Sequence, residues 1–318
     1  MRVIKIDSTT DKKRILEKIG STKEGNKIMS EKMQLHLFYI QNLRTPAANI
    51  LKQDALSIGA ELAVEKDTIL CKSDHVNALL ILNEKQRKLL AKKEKIQPFG
   101  LKKVADTLAM YQAKKVQKTQ IMGVINANSD SFFHGSRFQG KEALIAIEKM
   151  IEDGADIIDI GGVSSRPGSL PISEDEELKR IKPIVDAIYT HKLYDKVRFS
   201  LDSYAPKPIA YALEKGFHII NDITGLANDE VCVLAKSYDA QVVIMHMQND
   251  PLTMQRNPQY DNIITDVEDF FIKRIQKAHD FGIEDIVLDV GIGFGKTVEH
   301  NLLLIKHMGH FRKLGLPL

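Results

Sequence analysis

From residue 119 onward, short and almost continuously apolar runs alternate with helix-like segments, and this alternation constrains the fold more than any other feature. The runs are QIMGVINA (Gln120–Ala127), ADIIDIGG (Ala155–Gly162), KVRFSLDS (Lys196–Ser203), HIINDITG (His218–Gly225), QVVIMHM (Gln241–Met247) and DIVLDVG (Asp285–Gly291). Strands buried on both faces read this way. Helical patterns such as KEALIAIEKMIEDG (Lys141–Gly154) and PKPIAYALEKG (Pro206–Gly216) lie between them. Several close on a glycine just before the next strand, the expected helix stop. Six β/α units of parallel sheet follow, which fit either a doubly wound open sheet or a (β/α)8 barrel.

Polar residues at the C-terminal ends of the strands discriminate between the two: Asn126, Asp159, Asp202, Asn221–Asp222, His246 and Asp289. A barrel converges all its strand ends on one site, whereas an open sheet uses mainly those beside its switch point. Six loaded ends predict the barrel. A complete barrel takes roughly 250 residues, so one starting near residue 119 is expected to run to about residue 370. This chain stops at KLGLPL (Lys313–Leu318), where a seventh strand is expected to begin. The fold class expected is therefore α/β: a TIM (β/α)8 barrel over residues 116–318, lacking its last one to two β/α units. A small α+β domain of residues 1–115 is expected to precede it.

In that first domain RVIKID, QLHLFYI, DTILC and ALLIL read as strands, and DKKRILEKIG and PAANILKQDALSIGAEL as helices. Thr45 before Pro46 is a plausible cap and first turn. The tail PFGLKKVADTLAMYQAKK reads as a linker helix, and there is no internal repeat or low-complexity segment.

Forty-five basic residues against 42 acidic ones give a net charge of +3, too balanced to argue for nucleic acid. The Lys-rich stretches Glu84–Lys95 and Leu101–Lys118 read as solvated helix faces rather than an RNA or membrane patch. Two cysteines, Cys71 and Cys232, lack metal-ligand spacing and fit a reducing compartment. The N-terminus has no signal-peptide core and no run is long enough to span a bilayer, so a cytoplasmic protein without membrane or nucleic-acid partners is expected.

The stretch IVLDVGIGFGKTVEHNLLLI (Ile286–Ile305) imitates two motifs and satisfies neither. A P-loop would need glycine where Val290 stands, and Gly291, Gly293 and Gly295 recur every two residues rather than as Gly-x-Gly-x-x-Gly. A strand delivering Asp289 into a glycine turn remains; the glycines either admit a flat ligand closely or simply make a tight turn. In DIIDIGGVSSRPGS (Asp156–Ser169), Ser164, Ser165 and Arg166 present an anion-binding set of hydroxyls and a guanidinium, with a surface turn as the bland alternative. MGVINANSDSFFHG (Met122–Gly135) carries Phe132 and Phe133 on a polar loop, either as a lid or as packing under the loop. Asp202 and Asn221 can read a heterocycle edge with acceptors and donors, or tie down loops; Asp222 reads as the structural neighbour. His246 is more often structural than a base or ligand at such a place, and Met245 and Met247 read mainly as packing.

Taken in order, IMGVINANSDSFF, GADIIDIGGVSSRPGS, FSLDSY, IINDITG, VVIMHMQNDPLTMQRNPQY and DVGIGFGKTVEHN resemble the dihydropteroate synthase family of folate biosynthesis, the sulfonamide targets. The resemblance covers Gln120 to the C-terminus and leaves out the N-terminal domain. It implies a (β/α)8 barrel that condenses 4-aminobenzoate with 6-hydroxymethyl-7,8-dihydropterin diphosphate, releasing pyrophosphate with Mg²⁺. It implies Asn126 at the metal and diphosphate, and Ser165 and Arg166 at the diphosphate and 4-aminobenzoate. Asp202, Asn221 and Asp289 match the pterin positions, and Pro167 and Phe294 the 4-aminobenzoate slot. Met245 is placed with the substrate-binding residues, Arg166 and Asp202 with the catalytic ones, and the chain is expected to form a homodimer.

The sequence departs from the family's pattern at Asn128, Ser129 and His134 in the first loop, at Val163, and at Val290 where a proline is usual. The family's later Lys, Ser-Arg pair and Arg-x-His motif would fall beyond Leu318, so the 318-residue chain alone is expected to be inactive. Two other readings remain: a pterin-binding barrel that transfers methyl groups, against which the Ser165-Arg166-Pro167 loop argues, and a degenerate homologue serving as a partner subunit.

Overall fold

The computed structural model describes residues 12–111, 119–127, 141–164 and 168–318. The chain divides into two compact units, Met1–Lys114 and Lys115–Leu318.

The first unit runs α1 (Lys12–Lys18), α2 (Lys23–Lys32), β1 (Leu35–Arg44), α3 (Thr45–Ser57), β2 (Glu61–Val64), β3 (His75–Asn83), α4 (Glu84–Glu94) and α5 (Leu101–Met110). β3 is the centre of an antiparallel sheet of order β1-β3-β2. Alternate residues of β3, namely Val76, Ala78, Leu80 and Leu82, are buried against Ala47, Ala48 and Leu51 of α3 and Leu90 of α4. That period of two is what a half-covered strand imposes.

Three expectations change here. DTILC is a 3-10 turn at Thr68–Leu70, not a strand, and the third strand is β2, which begins in the last two residues of the stretch expected to be helical. The helix had to end at Ser57, because Gly59 adopts φ +75° and turns the chain back. Thr45 is not the cap; it stands inside the first turn beside Pro46 and its hydroxyl donates to the Ser73 carbonyl. The Lys-rich α4 is not a wholly solvated face either, since Glu84, Arg87 and Glu94 are buried. RVIKID and the end of the linker stretch lie outside the described residues.

The second unit follows as β4 (Met122–Asn126), α6 (Lys141–Glu152), β5 (Ile157–Gly161), α7 (Glu174–Thr190), β6 (Arg198–Asp202), α8 (Pro206–Glu214), β7 (Ile219–Asp222), α9 (Asp229–Ser237), β8 (Gln241–Met245), α10 (Ile263–Asp280), β9 (Ile286–Asp289) and α11 (Val298–Lys306). All pairings are parallel and the order is β4-β5-β6-β7-β8-β9, with no switch point. A doubly wound sheet reverses its order at the middle; this one does not. These are six successive β/α units of a TIM-barrel frame, with β4 and β9 at the two edges. Beyond β9, the Leu288 amide donates to the Pro317 carbonyl at 2.9 Å.

Strand alternation sorts the side chains. Ile125, Ile158, Ile160, Phe199, Leu201, Ile220, Val242, Ile244, Ile286 and Leu288 join the helices in the main core. The other face carries a small apolar floor, Ile157, Ile219 and Val243 with Met122 and Val287. At that floor's upper rim the face turns polar. Gly154, Gly216 and Gly282 each stop a helix with φ between +76° and +97° and send the chain into the next strand.

Candidate active site

Register fixes which polar residues meet. Asn126 pairs with Gly161, Gly161 with Asp202, Asp202 with Asn221, and Met245 with Asp289. Asn126, Asp202, Asn221 and Asp289 therefore stand at the strand tips on the face opposite the helix-packed one, as expected from the sequence; β8 ends in Met245 on that face, and His246, expected at the tip, lies just past it. Gly161 keeps the middle of this row open: a side chain there would meet the Asn126 amide oxygen at 3.2 Å and Asp202 at 3.6 Å.

Asp159 is corrected. It is not a strand tip; Gly161 is. Asp159 points to the same face one layer deeper, level with Ser200. It is 4% exposed and accepts from the Asn221 amide at 3.3 Å. Burial raises its carboxyl above the ordinary value, against the opposing pull of Ser200 and Asn221. Asp202, just above, is pushed well up by burial and then by the charges of Asp159, Glu177 and Asp222. Tyr204 is raised by burial and then by the charges of Glu177, Asp202 and Asp222.

Glu177 is a member of the site that motif reading missed. It projects from the first turn of α7 beneath Gly162, with Ile181 beside it. Its side chain is 3% exposed, and burial pushes it up to about 7. Among the described residues the site is thus built around acids that face one another, with Arg180 easing only Glu177, and burial with mutual repulsion favours their protonated forms. Asp222 stays apart: it is buried outward, accepting from Thr224 at 2.7 Å and Leu226 at 2.9 Å, and ties down its own loop.

The other side of the site is the turn after β9. Asp289 is exposed, and one of its oxygens accepts from the Gly291 amide at 2.8 Å. Gly291 has φ +65°, and a side chain there would fall on the His246 carbonyl. A side chain at Gly295, φ +63°, would crowd the Gln248 carbonyl at 2.8 Å. The tight turn and the close approach are thus both real. Val290 is buried in the main core, and Phe294 is half-buried. Thr297 caps α11 in a reciprocal box with His300, so the threonine of the Lys-Thr pair serves a helix start, not a phosphate loop.

His246 behaves structurally. It is buried, packed edge-on to Phe270 at 4.9 Å, and burial with the nearby Lys296 charge lowers it to about 3. Met245, the register partner of Asp289 on the neighbouring strand, is buried at 4% exposure.

Ser165, Arg166, Pro167, Phe132, Phe133, Asn128, Ser129 and His134 lie outside the described residues. What flanks the anion loop is described. Val163 and Ser164 border a recess shared with Asp202, Tyr204 and Pro251. The Gly168 amide donates to the Pro251 carbonyl at 2.9 Å, so this loop and the one after β8 meet.

A parallel β/α frame whose strand tips gather carboxylates and amides around the open position at Gly161 is that of a barrel enzyme for a small, donor-rich ligand. A model of the family "Pterin binding enzyme" matches residues 122–318. The bifunctional dihydropteroate synthase/dihydropteroate reductase of Helicobacter pylori is 40% identical over 307 residues, covering 96% of this chain and 81% of that one. The dihydropteroate synthase of Haemophilus influenzae is 41% identical over 62% of this chain and 72% of its own. Among solved structures, the Yersinia pestis dihydropteroate synthase with a sulfonamide drug aligns at TM-score 0.59 and 37% identity, covering 62% of this chain and 72% of that one. The Thermus thermophilus enzyme in complex with 4-aminobenzoate aligns at TM-score 0.56 and 32% identity, covering 65% and 74%. The chain belongs to the dihydropteroate synthase family of pterin-binding enzymes, transferases of folate biosynthesis.

Proposed function

We propose that the second unit joins 4-aminobenzoate to 6-hydroxymethyl-7,8-dihydropterin diphosphate, forming 7,8-dihydropteroate and pyrophosphate. The observation that supports this most is the set of strand tips Asn126, Asp202, Asn221 and Asp289 on one face above an apolar floor: the first three share a register level, and Asp289 stands two residues higher, since Asn221 pairs with Val243 and Asp289 with Met245.

A pterin presents a 2-amino group beside a ring N–H, and one carboxylate can accept both hydrogens as it would from arginine. Asp289 is exposed and suited to that edge. Asp202 and Asn221 offer an acceptor and a mixed donor–acceptor to the rest of the ring. The reaction breaks the bond between the pterin CH2 and the diphosphate oxygen and forms a C–N bond to the amine, which then loses a proton. The electron-rich ring supports positive charge on that CH2, so the protein need only hold the reactants in line and neutralise the leaving group. Arg166 and Ser165 are assigned to the diphosphate, and Pro167 and Phe294 to the 4-aminobenzoate ring.

The chemistry of the donor set fits Mg²⁺. The Asn126 amide oxygen is a hard ligand beside Asp202, and Mg²⁺ typically takes few protein oxygens plus substrate phosphates. When bound it would offset charge on the departing diphosphate. A homodimer and a cytoplasmic location are part of the same reading; no helix among the described residues is long and apolar enough to cross a membrane. The test is pyrophosphate release that requires both substrates. Release without 4-aminobenzoate, or methyl transfer to a corrinoid instead, overturns the assignment.

A second reading concerns residues 1–115, which we treat as a separate domain. The Helicobacter pylori relative is named for dihydropteroate reductase as well, and its similarity extends over 96% of this chain, so it includes the N-terminal unit. We assign that unit to reduction of the first reaction's product by a hydride donor of the reduced nicotinamide or flavin class. Supplying the full chain with dihydropteroate and each reduced donor, and measuring donor oxidation, tests it. No oxidation with either removes the assignment.

A further inference from the structure

The turn Gly291–Gly295 aims Asp289 and Phe294, yet three of its five residues are glycines, the most flexible kind of backbone. Something must hold it. Its backbone groups are bonded one by one. The Gly291 carbonyl accepts from the Phe294 amide at 3.1 Å. The Gly293 amide donates to the Asn301 side chain at 2.9 Å, and its carbonyl accepts from Gln255 at 2.6 Å. The Gly295 carbonyl accepts from the Tyr260 hydroxyl at 2.7 Å.

Lys296 sits behind these bonds. It is 3% exposed, and its Nζ donates to the Phe294 carbonyl at 2.8 Å and the His246 carbonyl at 3.0 Å. The first belongs to the glycine turn, the second to the segment leaving β8. The same two segments meet where the His246 amide donates to the Asp289 carbonyl at 2.9 Å. A lysine is rarely this buried; burial lowers its amine to about 7, and the desolvation is worthwhile only where its donors fix something.

We propose that Lys296 is a positioning residue for pterin binding: it latches the glycine turn to the β8 exit and so holds the Asp289 carboxylate at the angle that receives the pterin. Tyr260 and Gln255 complete the latch. Lys296 touches no substrate in this arrangement and acts through Asp289. The inference rests on the pterin-binding reading above.

The test is calorimetric binding of 6-hydroxymethyl-7,8-dihydropterin diphosphate to the full chain carrying Lys296→Met, Asp289→Asn, or both. Each single variant is expected to weaken binding at least tenfold with thermal melting retained. The double variant is expected to bind no worse than Asp289→Asn alone, because a residue acting through another gives coupled, not additive, losses. Unchanged binding by Lys296→Met, or additive losses, overturns the latch. Should Lys296→Met not fold, Tyr260→Phe removes one hydroxyl from the same latch. It is expected to weaken binding two- to fivefold, again without effect on an Asp289→Asn background; an additive effect or none overturns the proposal. If the unaltered chain does not bind this pterin, the functional reading itself fails, an outcome distinct from binding that the variants leave untouched.

Discussion

Glu84 in the N-terminal unit and Asp202 at the barrel tips are both shielded acids, and they are treated in opposite ways. Burial pushes Glu84 up, but the bidentate bonds and charge of Arg87, with His36 and Lys88, outweigh it and leave its carboxyl below the ordinary value. Asp202 meets burial and then three further acids, and is driven well up. An acid that serves the fold is paired with a cation from its own chain. Among the described residues, the acid kept for a ligand stands mainly among other acids, so the ligand's donors supply the partner.

Breaking the Glu84 pair is the largest perturbation on this view. Glu84→Gln leaves Arg87 buried at 2% side-chain exposure with a neutral partner. Removing one member of a buried pair typically costs about 3–5 kcal/mol. Denaturant unfolding followed by exchange of α4 amides should show a loss near that size; a loss below about 1 kcal/mol would make the pair incidental. The pH sign follows from the lowered carboxyl. Its contribution is present above the ordinary value of 4.5 and is lost as pH falls below it.

Asp202→Asn should act in the reverse sense on stability. With the folded carboxyl raised, stability is fullest below the ordinary value of 3.8 and declines as pH rises through the shifted one. At pH 7 the asparagine variant is therefore expected to melt higher than the parent when empty, while pterin affinity falls roughly 10–100-fold, the worth of a charged hydrogen bond. Pterin donors favour the ionised form, so binding to the parent should release a proton, seen as a heat that depends on buffer ionisation. A variant that melts lower and binds as well would equate Asp202 with Glu84 and erase the contrast.

How much of this was legible follows from what each residue advertises. Buried parallel strands need apolar runs whatever surrounds them, so six units could be read, and the tips Asn126, Asp202, Asn221 and Asp289 came with them. DTILC is just as apolar, but its residues close a 3-10 turn, which only the Gly59 reversal and the β2–β3 pairing reveal. Asp159 was legible as polar and misplaced by one layer; its spacing of two from Gly161 was the signal that both share a face. Glu177 hides in SEDEEL, where acids look like ordinary charge at a helix start. Lys296 drew notice for a phosphate motif it does not complete, and its burial depends on His246, fifty residues away. Charged residues declare their type in sequence but not their depth, and depth decides their role.

Glu94 tests that last point with the smallest effect. It belongs to the N-terminal unit, is fully buried, and its carboxyl is pushed up to about 7 by burial and then by Asp54. It breaks the rule Glu84 sets, since no cation neutralises it directly; Lys93 pairs at 2.8 Å with Asp54 instead. The raised carboxyl contributes fully below its ordinary value of 4.5 and loses that contribution as pH climbs through about 7. Glu94→Gln should therefore flatten the unit's stability between those limits and raise it at pH 8 by about 1 kcal/mol, after allowing for partial solvation of the site. If the variant is instead destabilised at pH 8, the Glu94 carboxylate has a partner that matters to the fold, and it belongs with Glu84. If it is stabilised, Glu94 sides with Asp202, and the N-terminal unit holds an acid that its own fold does not need ionised.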